Sequence, residues 1–127
     1  MSAFLVDTDV LIDVSKGDIN AVNFLAGIMG TIFISRISTM ELIVGARDKP
    51  DQLAIENFIA HYTIRELDLS IGISAYNLLT QYTLSQGLTI MDALIAATAI
   101  EQDLTLVSKN EKHFRQIQHL EFLRARY

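Results

Sequence analysis

Cysteine and tryptophan are absent from this chain of 127 residues, and proline occurs once, at Pro50. Without cysteine there is no disulfide framework and no zinc site built on thiolates, and the composition suits a reducing cytosol. No apolar run approaches the ~18 residues needed to span a bilayer, and no basic leader precedes a hydrophobic core at the N-terminus. A soluble, untargeted, cytoplasmic protein is therefore expected. Positive charge is in the minority: ten Lys and Arg against fifteen Asp and Glu leave a net charge of −5. That balance argues against non-specific wrapping of nucleic acid, while leaving room for a locally basic rim around an acidic site. Half the residues are hydrophobic, and there is no repeat, low-complexity segment or linker. One globular domain over residues 1–127 follows, large enough to bury roughly two thirds of its unfolded surface.

The stretch Phe4-Leu5-Val6-Asp7-Thr8-Asp9-Val10 organises the rest. Phe4 to Val6 read as a parallel strand buried on both faces, stopped abruptly by two acids two residues apart. If strand geometry persists through Asp9, both carboxylates point to one side, with Cα atoms about 6.6 Å apart. At about 5 Å between charges such a pair repels by roughly 3 kcal/mol, and a divalent cation is the simplest reason to tolerate it. The alternative is that one acid caps a helix covering Val10 to Val14 while the other faces water.

Downstream, the hydrophobic period switches repeatedly between that of a helix and that of a strand. Helices are expected over residues 18–29, from Ser38, over 52–61, 70–86 and 89–102, with a short one after Glu111. Strands are expected at 31–35, 62–67, 105–107 and near 120–123. Such alternation predicts an α/β, three-layer sandwich around a mostly parallel sheet of four to five strands. Ligands of these sheets bind beyond the carboxyl ends of the strands. Asp7, Asp9, Arg36, Lys109 and Asn110 all fall at predicted carboxyl ends.

Glu41 lies three residues after Ser38, and Asp92 three after Thr89, so each has capping-box spacing as well as the chemistry of a site acid. His61, His113 and His119 share no metal-ligand spacing and receive no chemical role. Lys109, Lys112, Arg115, Arg124 and Arg126 give the C-terminal part a positive bias, which an ordinary charged face would also explain. Tyr76, Leu79 and Tyr82 recur at helical spacing, for core packing or for a subunit contact.

With Asp7-Thr8-Asp9, Ser38-x-x-Glu41, Asp92-Ala-Leu-Ile-Ala-Ala-Thr-Ala and Leu106-Val107-Ser108-Lys109-Asn110-x-x-His113-Phe114 in order, the chain resembles PIN-domain ribonucleases. More narrowly it resembles the VapC-type toxins of prokaryotic toxin–antitoxin pairs. The resemblance implies a metal-dependent endoribonuclease that cuts RNA phosphodiester bonds. It places the catalytic residues at Asp7, Glu41, Asp92 and Asn110, and magnesium, or else manganese, on Asp7, Asp92 and Asp9. Asp9 stands where family members commonly have asparagine and Asn110 where many have aspartate, so either can supply the fourth ligand. Arg36 and Lys109 would hold substrate phosphates, and Ser38 and Ser108 would hydrogen-bond ligands or substrate. A homodimer and a small antitoxin covering the acidic groove are implied as partners.

Two other readings share some of these residues. Asp7-Thr8-Asp9-Val10 also resembles the nucleophile motif of haloacid-dehalogenase phosphatases, although no paired late aspartates follow the last strands. A receiver-like signalling domain would use Asp7, Asp9 and Lys109 around a phosphoacceptor at Asp68, and would leave the Asp92 helix without a role.

Overall fold

A computed structural model describes residues 2–127. Five strands, β1 (Ala3–Val6), β2 (Thr31–Ser35), β3 (Thr63–Arg65), β4 (Thr105–Ser108) and β5 (Phe122–Arg124), form one sheet in the order β3-β2-β1-β4-β5. Every pairing is parallel, so the expected three-layer α/β/α sandwich is present with a fully parallel sheet. The helices are α1 (Thr8–Ser15), α2 (Ile19–Ala26), α3 (Arg36–Val44), α4 (Lys49–Ile59), α5 (Leu69–Gln86), α6 (Ile90–Glu101) and α7 (Glu111–Phe114).

Strand alternation divides the core. Leu5 and Leu106 are register partners whose side chains join the cluster under α5, α6 and α7, whereas Val6 and Val107, one residue on, join the cluster under α1, α2 and α4. All four are fully buried, each stabilising the fold by roughly 1.5–3 kcal/mol relative to an exposed position. The helix α3 serves both faces, Ile37 entering one cluster and Leu42 the other. Ala93, Ala96, Ala97 and Ala99 of α6, which packs on α5, are all without exposed surface. Such small side chains let two helices approach closely, and the alanine-rich segment reads as a buried helix for that reason.

Each of these helices begins on a polar side chain that accepts a backbone N–H: Asp7, Asp18, Ser35, Asp48, Asp68, Thr89 and Asn110 in chain order. This is how helix starts satisfy their free donors. The long α5 stops at Gly87, which adopts φ 69°, a left-handed cap that favours glycine. Two expectations about helix starts are corrected. The strand does not persist through Asp9: β1 ends at Val6, Asp7 caps α1, and Asp9 lies in its first turn. Nor does Ser38 open α3; that helix follows β2 without a turn, capped by Ser35 through the Ile37 N–H.

Tyr82 and Leu79 pack against the core, and the Tyr82 hydroxyl accepts the Gln118 N–H. Tyr76 instead stands exposed with Leu69 and Ile73 along α5, so only Tyr76 of the three retains the subunit-contact reading. The strand order reverses direction between β1 and β4, with β2 and β3 on one side and β5 on the other. That switch point leaves a crevice at the carboxyl edge.

Candidate active site at the carboxyl edge of the sheet

Two neighbouring strands deliver the centre of the site. Beyond the end of β1, Asp7 is 7% exposed and uses both carboxylate oxygens: Oδ1 accepts the Thr8 N–H at 2.8 Å and Oδ2 accepts the Ser108 hydroxyl at 2.7 Å. From the next turn, Asp9 Oδ2 accepts the Lys109 N–H at 3.1 Å and lies 3.3 Å from the Ser108 hydroxyl. Thus Ser108, at the end of β4, ties the two acids together. Although the strand geometry first expected for them is absent, the helix turn brings both carboxylates to one hydroxyl.

Burial pushes the Asp7 carboxyl up to about 7, and the Asp9 charge adds to the shift. The hydrogen bonds from Ser108 and Thr8 oppose it, and Asp92 contributes a smaller push upward. Asp9 is raised as well, first by burial, against the hydrogen bonds it receives. Burial dominates both shifts, and at Asp7 a neighbouring like charge adds to it.

Glu41 joins through Thr8. The Thr8 hydroxyl oxygen lies 2.6 Å from Glu41 Oε1 and 2.8 Å from Ser38 Oγ. A carboxylate only accepts, so the single Thr8 proton goes to Glu41 and the Ser38 hydroxyl turns its own proton to Thr8. Neither Ser38 nor Ser108 has exposed surface. They stand behind the acids, bonded to Thr8 and to Asp7.

On the other side, Asp92 occupies the first turn of α6, where it completes a capping box with Thr89. Its Oδ2 lies 2.8 Å from His113 Nδ1. Asn110 caps α7 by accepting the His113 N–H at 3.2 Å, and its Nδ2 lies 3.0 Å from the same imidazole nitrogen. His113, which shares no metal-ligand spacing with the other histidines, is placed here by its position three residues after the helix-capping Asn110. Thr8, between its two acidic neighbours, is a further residue of the site that the spacing of acids alone does not mark.

The basic residues are committed to acids around the rim. Arg36 pairs with Glu66, beyond the end of β3, and also approaches Thr39. Lys109 Nζ reaches Asp13 at 2.6 Å, and Tyr127 donates its hydroxyl to the same carboxylate. The Lys109 and Tyr127 bonds hold Asp13 below the usual carboxylate range, and Asp13 in turn raises Lys109. Asp68, the acceptor that a receiver domain would need, uses its carboxylate to cap α5, bonded to the Ile71 N–H and the Ser70 hydroxyl.

The clustered donors are oxygens, which suit a hard divalent cation. Among the described residues, no three acidic or histidine side chains are arranged as a group able to hold an ion as they stand. In the structure Asp7 and Asp9 bond to Ser108 and backbone N–H groups, and Asp92 bonds to His113. The donor chemistry fits a cation.

The fold is a parallel α/β sheet with Asp7 buried and Asp9 beside it at the switch point, where such sheets carry their binding sites. The PIN domain family model matches residues 4–120, and the chain belongs to that family. Ribonuclease VapC10 of Mycobacterium tuberculosis is 34% identical over 119 residues, covering 91% of this chain and 89% of that protein. Among solved structures, a toxin–antitoxin complex from Klebsiella pneumoniae contains a chain with TM-score 0.78 and 28% identity, covering 92% of this chain and 94% of that one. VapBC2 from Rickettsia felis, bound to a DNA fragment from its promoter, gives TM-score 0.78 and 26% identity, covering 96% and 98%.

Proposed function

We propose that this chain is an endoribonuclease that cleaves RNA phosphodiester bonds and acts as the toxin of a toxin–antitoxin pair. The observation that carries the reading is Asp7, buried at the switch point and pushed up to about 7 by burial and by Asp9, with Asp92 also acting on it. Relatives named ribonuclease VapC and neighbours solved as toxin–antitoxin complexes support it. PIN-domain VapC ribonucleases generally depend on a divalent metal; for this chain magnesium is proposed, with manganese able to replace it.

Asp7, Asp92 and Asp9 would hold the cation. When bound, it supplies Lewis acidity to a phosphoryl oxygen and lowers the pKa of an attacking water. The chain's own residues position and hold. Ser108 keeps Asp7 and Asp9 together, Thr8 orients Glu41, and the edge of the sheet fixes their spacing. Arg36 and Lys109 take substrate phosphates in this reading, exchanging their present carboxylate partners for RNA. Lys109→Ala should then weaken RNA binding and lower the salt slope by about one. Unchanged affinity and slope in a filter-binding titration would remove Lys109 from the substrate path.

A cleft of about 570 Å³ between α1, α3 and α4, floored by Leu42, Ile55 and Phe58, has Glu41 in its wall. An apolar antitoxin segment laid there would reach the acids, and a second copy of the chain would meet the exposed Leu69, Ile73 and Tyr76 face. Among the described residues no helix is long and apolar enough to cross a membrane; a cytoplasmic location belongs to the same proposal. The direct test is cleavage of a structured RNA pool by antitoxin-free chain, with magnesium or manganese, with chelator, and with Asp92→Asn. Metal-dependent cutting that Asp92→Asn loses while staying folded is expected. Equal cutting by the variant would place the activity elsewhere.

A further inference from the structure

We propose that His113 is a positioning residue for Asp92, and that Asn110 acts on the acidic site through His113 rather than as a fourth oxygen ligand. The inference deepens the nuclease reading and rests on it for the role of Asp92. The geometry is specific about atoms. The carboxylate of Asp92 only accepts, so at 2.8 Å the His113 Nδ1 carries the proton and donates it. Thr89 N–H approaches the same oxygen, Oδ2, at 3.5 Å. No hydrogen bond reaches Oδ1 among the described residues. One oxygen of Asp92 is thereby fixed and the other left free for a ligand.

Asn110 supports this arrangement from below. Because Nδ1 already donates to Asp92, the Asn110 amide nitrogen at 3.0 Å has no lone pair there to receive its proton. Its contribution is the bond from the His113 N–H to Oδ1, which sets the start of α7 and so the direction of the imidazole. The adjacent Phe114 is 1% exposed and anchors the short helix in the core. Gly87, in the loop before α6, lies on the Nε2 side of the ring, where an added Cβ would stand 4.0 Å from His113 Nε2. Partners that orient a ligating side chain in this way typically contribute 10–100-fold to metal affinity or activity.

The test uses the parent chain, His113→Ala, His113→Asn and Asp92→Asn. Asparagine places an amide N–H near the position of Nδ1, so it should restore what alanine removes. Imidazole nitrogen spectra of the parent should show His113 protonated at Nδ1, with that signal changed in Asp92→Asn. Manganese binding followed by electron paramagnetic resonance should weaken about tenfold in His113→Ala and recover to within about threefold in His113→Asn. Cleavage should follow with a lower kcat and an unchanged KM for RNA. A proton on Nε2 alone, parent-like manganese binding by folded His113→Ala, or an asparagine variant no better than alanine would each overturn the proposal. If the parent neither binds manganese nor cuts RNA, the nuclease reading fails, while the imidazole spectrum still decides whether His113 holds Asp92.

Discussion

Asp7→Asn is expected to abolish RNA cleavage while making the metal-free chain more stable above pH 7. Both halves come from one environment. Removing a partner behind a ligand typically costs 10–100-fold, so with Asp7 in its proposed role as a ligand its loss should cost at least about 100-fold in kcat. The stability half follows from linkage. In the folded chain the Asp7 carboxyl sits at about 7, against an ordinary value of 3.8, so the folded state binds this proton more tightly than the unfolded state. The contribution of Asp7 to stability is therefore fully present below about pH 4, is lost as pH rises through the window from about 4 to about 7, and does not change further above it. The full shift corresponds to roughly 4 kcal/mol of destabilisation in the metal-free protein at high pH. Asparagine removes that charge at some cost in hydrogen bonding to Ser108 or Thr8, leaving an expected gain of about 1–3 kcal/mol at pH 8. For a chain of this size the melting temperature should rise by roughly 3–10 °C at pH 8, and the gain should vanish near pH 4. Thermal unfolding in chelator across that range checks it; a difference between variant and parent that does not change with pH would mean that Asp7 is not held at the raised value.

The same residue explains what could and could not be read from the sequence. Strand and helix alternation, the polar stop after Val6 and the glycine at 87 are local signals, and they placed the parallel sheet and the carboxyl edge correctly. The order β3-β2-β1-β4-β5 follows from long-range pairing, which periodicity does not report. Ser38 has capping-box spacing to Glu41, yet Ser35 caps α3, and the Ser38 hydroxyl is taken by Thr8, thirty residues earlier in the chain. Asp7 and Asp9 come together by a geometry other than the extended strand expected: a helical turn and Ser108, 101 residues from Asp7, bring the two carboxylates to one hydroxyl. His113 is marked in the sequence only by its spacing from Asn110; its partner, Asp92, is 21 residues away and comes near only when α6 and α7 pack.

Phe114→Ala should produce the largest loss of stability at a position that touches none of the acids, about 3–5 kcal/mol by urea denaturation. Phe114 is 1% exposed, lies within the core cluster under α5 and α6, and meets the Phe122 ring at a centroid separation of 6.1 Å. Truncation removes that contact and leaves a cavity between α7 and the edge strand. Phe114→Leu fills most of the space and should cost less, on the order of 1–2 kcal/mol. The consequence reaches the site because α7 has only four residues. A helix that short has no stability of its own; it is held by the Asn110 cap at one end and the Phe114 side chain at the other. With the anchor gone, α7 should fray before the sheet opens, and the His113 Nδ1 proton signal should weaken under conditions where β1 and β4 amides remain protected from exchange. The leucine variant should retain that signal. Loss of less than about 1 kcal/mol in the alanine variant would place Phe114 outside the packed core, and an undisturbed His113 signal in a chain destabilised by the full amount would show that α7 is held by its cap alone.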